Sequence, residues 1–123
     1  MFDLWSIPDS GIFLDQMNQR TKKNDYKQIF LNFMELSNAE VDPPNTACVK
    51  ANPNEKWKCM FAEYNYKYIN IPLFAVQSPY DTWCLPNILG LYCQKGGSLA
   101  ECEKQGVLNI VEDYHQNTSK VLR

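Results

Sequence analysis

Features typical of several large protein classes are missing from the sequence. It contains a single histidine and no C-x-x-C pair, so the ligand spacing of a zinc site is absent. The net charge is −2 and the longest basic run is Lys22-Lys23, which gives nucleic-acid binding no electrostatic support. No apolar run approaches the roughly 20 residues of a membrane-spanning helix. We therefore expect no metal, no cofactor, no nucleic acid and no membrane span.

The N-terminal segment MFDLWSIPDSG also lacks the basic n-region and apolar h-region of a signal peptide. It resembles the middle of a domain. Since 45% of the 123 residues are hydrophobic, the composition is that of a globular chain with a core. We expect residues 1–123 to be a single fragment of a longer protein.

What the sequence does contain is five cysteines. Cys48 and Cys59 flank one short loop, and Cys93 and Cys102 flank another, as local disulfides of secreted proteins do. Five free, partly buried thiols are the alternative. Asn117 begins a glycosylation sequon that points to the same extracellular or secretory compartment.

Two helices are predicted from the spacing of apolar residues. A cap at Asn24 or Asp25 begins a helix over residues 25–37. A capping box at 98–101 begins a long helix that extends to about residue 122. The apolar face that the first helix would pack on the core comprises Tyr26, Ile29, Phe30, Phe33 and Leu36.

Between the helices, the run IPLFAVQ at 71–77 predicts a strand buried on both faces, as in a parallel sheet. The segment 38–58 is predicted as loop, and a short helix is expected from Pro86. Residues 60–69 fit either an alternating strand or a helical turn. The order of elements indicates a piece of an α/β layered fold.

Asp81 follows the predicted strand by four residues. Catalytic groups of open α/β sheets gather beyond the carboxyl ends of strands, where an aspartate can orient a histidine. The alternative is an Asx-turn or helix-cap residue.

An ordered set of motifs carries a family resemblance. DSGIFLD at 9–15, the Cys48…Cys59 loop, YINIPLFAVQSPYDTWCL at 68–85 and the Cys93…Cys102 loop before the long helix resemble the pectin acetylesterase/Notum family of secreted carboxylesterases. The resemblance spans about residues 5 to 122. It implies a partial α/β-hydrolase-like fold with an incomplete sheet. It also implies an extracellular parent enzyme that removes an acyl group from acylated cell-wall polysaccharide or from an acylated secreted protein.

The same resemblance assigns roles to individual residues. Asp81 matches the acid of a Ser-Asp-His triad, and both cysteine pairs match family disulfides, whereas Cys84 departs from the pattern. Phe13 falls near the acyl pocket and Trp83 beneath the acid. The residues placed at the substrate site are Asp9, Ser10, Gly11, Phe13 and Trp83.

The nucleophile and the base of such a triad are missing from these residues. No G-x-S-x-G elbow occurs, and the one Ser-Gly dipeptide, at 10–11, lacks the preceding strand and following helix. Because triad order is Ser…Asp…His, we expect the serine upstream and the histidine downstream of this chain. His115 is expected to be a solvated residue of the long helix. The rival hypothesis is a disulfide-stapled binding module without catalysis, in which Asp81 is a cap.

Overall fold

The computed structural model describes residues 4–39 and 45–122 and is mostly helical there. Residues 40–44 of the predicted loop lie outside the described part. Short 3-10 helices span Lys56–Met60 and Tyr66–Tyr68. The α-helices are α1 (Asp25–Ser37), α2 (Thr46–Ala51), α3 (Ala62–Asn65), α4 (Cys84–Asn87), α5 (Ala100–Lys104) and α6 (Leu108–Val121).

Two extended segments, 6–10 and 72–76, run side by side in parallel. Bridges join Ser6 to Leu73 and Asp9 to Val76. The backbone bonds alternate between the segments: the N–H of Ser6 donates to the carbonyl of Pro72 at 3.0 Å, and the N–H of Ser10 donates to that of Val76 at 2.8 Å. This parallel pair brings the ends of both segments to one place, because parallel strands end at the same edge.

The parallel pair is less regular and more exposed than predicted. Within the described ranges it consists of isolated bridges rather than a sheet, so the parallel sheet of an α/β fold is not confirmed. Phe74 is 69% exposed and Val76 44% exposed, so the prediction of a strand buried on both faces is wrong for these residues. Parallel strands normally have both faces covered, whereas here Ala75 packs against the core and its neighbours Phe74 and Val76 are exposed.

Helix α1 has the predicted bounds but a different buried face. Tyr26 and Met34 are buried, whereas Phe33 is 53% and Leu36 88% exposed. The Asn24 side chain donates to the carboxylate of Asp15 at 2.7 Å instead of capping the helix. The apolar spacing identified the helix correctly, but only part of its apolar face reaches the core.

The predicted long C-terminal helix is divided in two. Helix α5 ends at Lys104, and Gly106 adopts a left-handed backbone conformation with φ of 69° before α6 begins. A residue with a Cβ rarely adopts that conformation, so glycine suits the break between the helices. The capping box does not form as predicted, because the Ser98 hydroxyl accepts a hydrogen bond from the N–H of Ala100 at 3.3 Å.

Other predicted boundaries also shift. The segment predicted as loop over 38–58 contains α2, whose first N–H groups are capped by the Asn45 side chain through the N–H of Cys48 at 3.1 Å. Residues 60–69 form helical turns, the second of the two alternatives. Helix α4 begins at Cys84, two residues before Pro86.

The core lies between the parallel pair and the helices. Its largest fully buried side chains include Leu14 from the loop after segment 6–10, Phe61, Cys84 and Leu85 of α4, and Val111 of α6. The core therefore packs α4 and α6 against each other, and α4 directly follows the loop that carries Asp81.

Candidate functional site

Asp81 lies in the loop between the parallel pair and α4. One carboxylate oxygen, Oδ1, accepts hydrogen bonds from the N–H groups of Trp83 at 2.7 Å and Cys84 at 3.2 Å. These are the contacts of an aspartate that initiates a helical turn, the alternative role weighed above. They also fix the direction of the carboxylate.

The second oxygen of Asp81 is linked to the neighbouring loop through Gln77. The Gln77 side-chain N–H donates to Oδ2 of Asp81 at 3.3 Å, and its Oε1 accepts the backbone N–H of Ile12 at 2.9 Å. The structure therefore brings the loop after segment 6–10 close to the loop that carries Asp81. Gln77 was not among the predicted site residues, because a glutamine at the end of an apolar run gives no sequence signal for this bridge.

The predicted residues Asp9 and Ser10 end segment 6–10, and the predicted Gly11 begins the loop that follows it. Asp9 and Ser10 are exposed, and the Ser10 hydroxyl donates to the Asp9 carboxylate at 2.9 Å. Ser10 has a left-handed backbone conformation with φ of 55°, which a non-glycine residue rarely adopts. The bend at Ser10 turns the chain from the parallel pair toward the buried Ile12.

Aromatic residues lie on the other side of Asp81. The Trp83 ring packs against Phe13 at 5.1 Å and Tyr26 at 5.7 Å between centroids, and it remains 46% exposed. The first of these contacts joins Phe13 and Trp83, which the resemblance had placed near the substrate. An apolar groove of about 410 Å³ opens beside them, lined by Tyr26, Ile29, Phe30, Phe33, Trp83 and Asn87.

Tyr80, directly before Asp81, contacts helix α6. Its hydroxyl donates to the Glu112 carboxylate, with oxygens at 3.0 and 3.2 Å, and this hydrogen bond is the main cause that raises the pKa of Tyr80. The His115 imidazole stacks flat on the Tyr80 ring, 4.5 Å between centroids and 9° between planes. His115 is a helical residue, as predicted, but the prediction that it is solvated holds only in part, because one face of its ring is covered. Glu112 was not among the predicted site residues, because no sequence pattern links it to Tyr80, 32 positions away.

Cys84 lies fully buried beneath the same loop, and it is the free cysteine of the described residues. Burial raises the pKa of its thiol to about 11, and burial likewise raises the pKa of the neighbouring Tyr114. A thiol with a raised pKa carries little thiolate at neutral pH, so Cys84 is poorly suited to nucleophilic chemistry.

Both cysteine pairs are disulfide-bonded, Cys48 to Cys59 and Cys93 to Cys102. The sequon residue Asn117 lies on α6, half-buried, and accepts a hydrogen bond from Lys120 at 3.4 Å. Its glycosylation stays a prediction. Across residues 4–39 and 45–122, no cluster of three or more His, Cys, Asp or Glu side chains could hold a metal. None of the helices described is long and apolar enough to cross a membrane.

Comparison with known proteins identifies the class of protein to which the chain belongs. A family model described as pectinacetylesterase matches residues 2–123, nearly the whole chain. No match was found among curated proteins or among solved structures. The match places the chain among the carboxylesterases, a class of hydrolases. More particularly, the chain belongs to the pectinacetylesterase family, as its motifs predicted.

Proposed function

We propose that these residues form the acid-bearing part of a secreted serine carboxylesterase that deacetylates a pectin-like polysaccharide. Asp81 is the acid of its Ser-Asp-His triad. The serine and the histidine come from parts of the longer protein outside these 123 residues. The family supports the reaction class and an acetylated polysaccharide as substrate, whereas the triad role of Asp81 is our inference.

The observation that carries the proposal is the fixed carboxylate of Asp81. Its Oδ1 is held by the N–H groups of Trp83 and Cys84, while Oδ2 is in contact with the side chain of Gln77. A triad acid must keep its carboxylate in one direction to hold the histidine in the required tautomer. Two backbone donors on one oxygen meet that requirement and leave lone pairs of the other oxygen for a histidine.

The position of residues 9–11 supports the proposal. The Gln77 bridge holds the backbone of Ile12 beside the acid loop, so the exposed Asp9 and Ser10 are close to the same end of the parallel pair. In open α/β folds that end is where catalytic groups gather.

The chain's own histidine does not complete the triad. His115 lies on α6 against the ring of Tyr80, whereas the carboxylate of Asp81 is bonded toward α4 and Gln77. Triad residues act as a unit, and an oxyanion hole needs the backbone donor that follows the nucleophile. We therefore expect the 123-residue chain alone to show no Asp81-dependent ester hydrolysis.

The test begins with full-length transcript sequencing across both ends of the reading frame. A message that encodes an upstream G-x-S-x-G and a downstream histidine supports the proposal, and its product can be assayed on acetylated pectin. In that product Asp81→Asn should lower kcat by about 10⁴-fold, as loss of a triad acid does. The matched control is Asp113→Asn, which alters an exposed carboxylate of α6 and should leave kcat unchanged.

A message confined to these residues would contradict the proposal and favour the non-catalytic binding module. So would equal activity in Asp81→Asn and the parent protein. In either case the hydrogen bonds of Asp81 to Trp83 and Cys84 would be those of a helix cap alone.

One observation favours a second candidate for the acyl group that the enzyme removes. The groove beside Trp83 is lined mainly by apolar side chains of α1, among them Ile29 and Phe33, and its volume of about 410 Å³ exceeds what an acetyl group fills. A lipid acyl chain on a secreted protein would suit such a groove. Nitrophenyl esters of increasing chain length distinguish the two: kcat/KM that falls steeply beyond acetate supports the polysaccharide acetyl group.

A further inference from the structure

We infer that Glu112 and His115 are positioning residues for Asp81, and that they act through Tyr80. The inference rests on the proposed function, since it treats Asp81 as the group to be positioned. It concerns a part of α6 to which the triad itself assigns no role.

Three contacts anchor Tyr80. Its hydroxyl donates to the Glu112 carboxylate at 3.0 Å, its ring is stacked on His115, and its backbone carbonyl accepts the side-chain N–H of Gln94 at 3.4 Å. Glu112 and His115 are three residues apart on one helix, so they share a face. Gln94 lies next to the disulfide-bonded Cys93. Tyr80 is therefore held both by α6 and by the loop that the Cys93–Cys102 disulfide closes.

The anchor and the acid occupy consecutive positions. Asp81 bonds on one side to the N–H groups of Trp83 and Cys84, and Tyr80 is fixed on the other side by α6. With the peptide between them planar, restraint of Tyr80 limits the backbone rotations available to Asp81 to a few dihedrals. Loss of the contacts that anchor Tyr80 should therefore first weaken the hydrogen bonds that Asp81 accepts.

The hydrogen bond to Glu112 is charge-assisted, and such bonds are stronger than neutral ones. Stacking of an imidazole on a phenol ring adds a planar contact that resists rotation of the Tyr80 side chain. The combination restrains both the tip and the plane of the Tyr80 ring.

The test uses amide hydrogen exchange on the 123-residue chain, with Tyr80→Phe and Glu112→Leu as variants. Tyr80→Phe keeps the stack and removes the hydroxyl, and Glu112→Leu removes the acceptor at similar size. We expect exchange at Trp83 and Cys84 to quicken about tenfold in both, as for loss of one hydrogen bond to a charged group. Exchange at Val111 in the core should not change.

Two further variants separate positioning from general stability. Glu112→Gln keeps an oxygen that can accept the Tyr80 hydroxyl, so it should restore most of the protection lost in Glu112→Leu. Asp113→Asn changes the adjacent exposed carboxylate and should have no effect. Equal exchange at Trp83 and Cys84 in every variant, or uniform loss along α6, overturns the inference.

The longer enzyme provides the second readout. There Tyr80→Phe and Glu112→Leu should lower kcat about tenfold with KM unchanged, since the substrate contacts remain. If Asp81→Asn leaves esterase activity intact, the proposed function fails. If Asp81→Asn abolishes activity but neither variant alters kcat or the exchange at Trp83 and Cys84, only the positioning inference fails.

Discussion

Gln77 accepts the backbone N–H of Ile12 through its side-chain oxygen, at 2.9 Å across 65 positions of sequence. Because the same side chain also donates to Asp81, one glutamine connects the two loops that follow the parallel pair. The Gln77 amide therefore helps to set the relative position of these loops, together with the ring contact between Phe13 and Trp83. This contact is the first place to test the site by mutation.

Gln77→Leu should destabilise the chain by about 1–2 kcal/mol, because it leaves the half-buried N–H of Ile12 without its acceptor. The free energy of unfolding in urea measures the effect. Gln116→Leu, on the exposed side of α6, is the control and should change stability by less than about 0.5 kcal/mol. Equal stability of the two variants would show that water replaces Gln77 at this contact.

The sequence predicted the helices better than their surroundings. The bounds of α1 agree with the structure because its apolar spacing and its polar start are local properties. Whether Phe33 and Leu36 are buried depends on what packs against the helix, and the spacing of residues within the helix does not show this. For the same reason the run at 71–77 identified an extended segment but not its exposure.

The candidate site was predicted only in part. Asp81, Phe13 and Trp83 came from motifs, and the structure brings Phe13 and Trp83 into contact. Gln77 and Glu112 were missed because their contacts join residues far apart in the chain, where side-chain type alone indicates nothing. His115 was predicted to be solvated because of its helix and its charged neighbours. Its stacking partner, Tyr80, belongs to a different part of the chain and could not be predicted from the helix.

Either disulfide should contribute about 2–3 kcal/mol to stability, since each closes a loop of similar length and loop entropy changes slowly with length. We expect Cys48→Ala/Cys59→Ala and Cys93→Ala/Cys102→Ala to lower the free energy of unfolding by comparable amounts. Denaturation of the parent chain with dithiothreitol should reproduce the combined loss. A variant pair as stable as the parent would contradict this expectation.

Exposed apolar residues on the parallel pair should make the 123-residue chain self-associate. Ile7 and Phe74 are each 69% exposed, and both lie on segments with unpaired edges in the described part. Phe74→Lys should therefore lower the mass that light scattering reports at high protein concentration. Met17→Lys, on the loop before α1 and 44% exposed, should have a smaller effect. An unchanged mass in Phe74→Lys would place the association elsewhere.

Stability should fall at alkaline pH through Cys84. Burial raises the pKa of this thiol in the folded chain to about 11 from its ordinary value of 9.0, so between those values the unfolded chain binds fewer protons than the folded one. The free energy of unfolding then decreases as pH rises, by about 2–3 kcal/mol in all once pH passes 11, and is unaffected by this group below pH 9. Urea denaturation from pH 8 to 10.5 measures the slope.

Cys84→Ala lowers stability at every pH but should reduce the slope over this range, while iodoacetamide should label the parent thiol at pH 8 only after unfolding. Identical slopes in parent and variant, or rapid labelling of the folded chain, would show that the thiol is accessible and ionises normally.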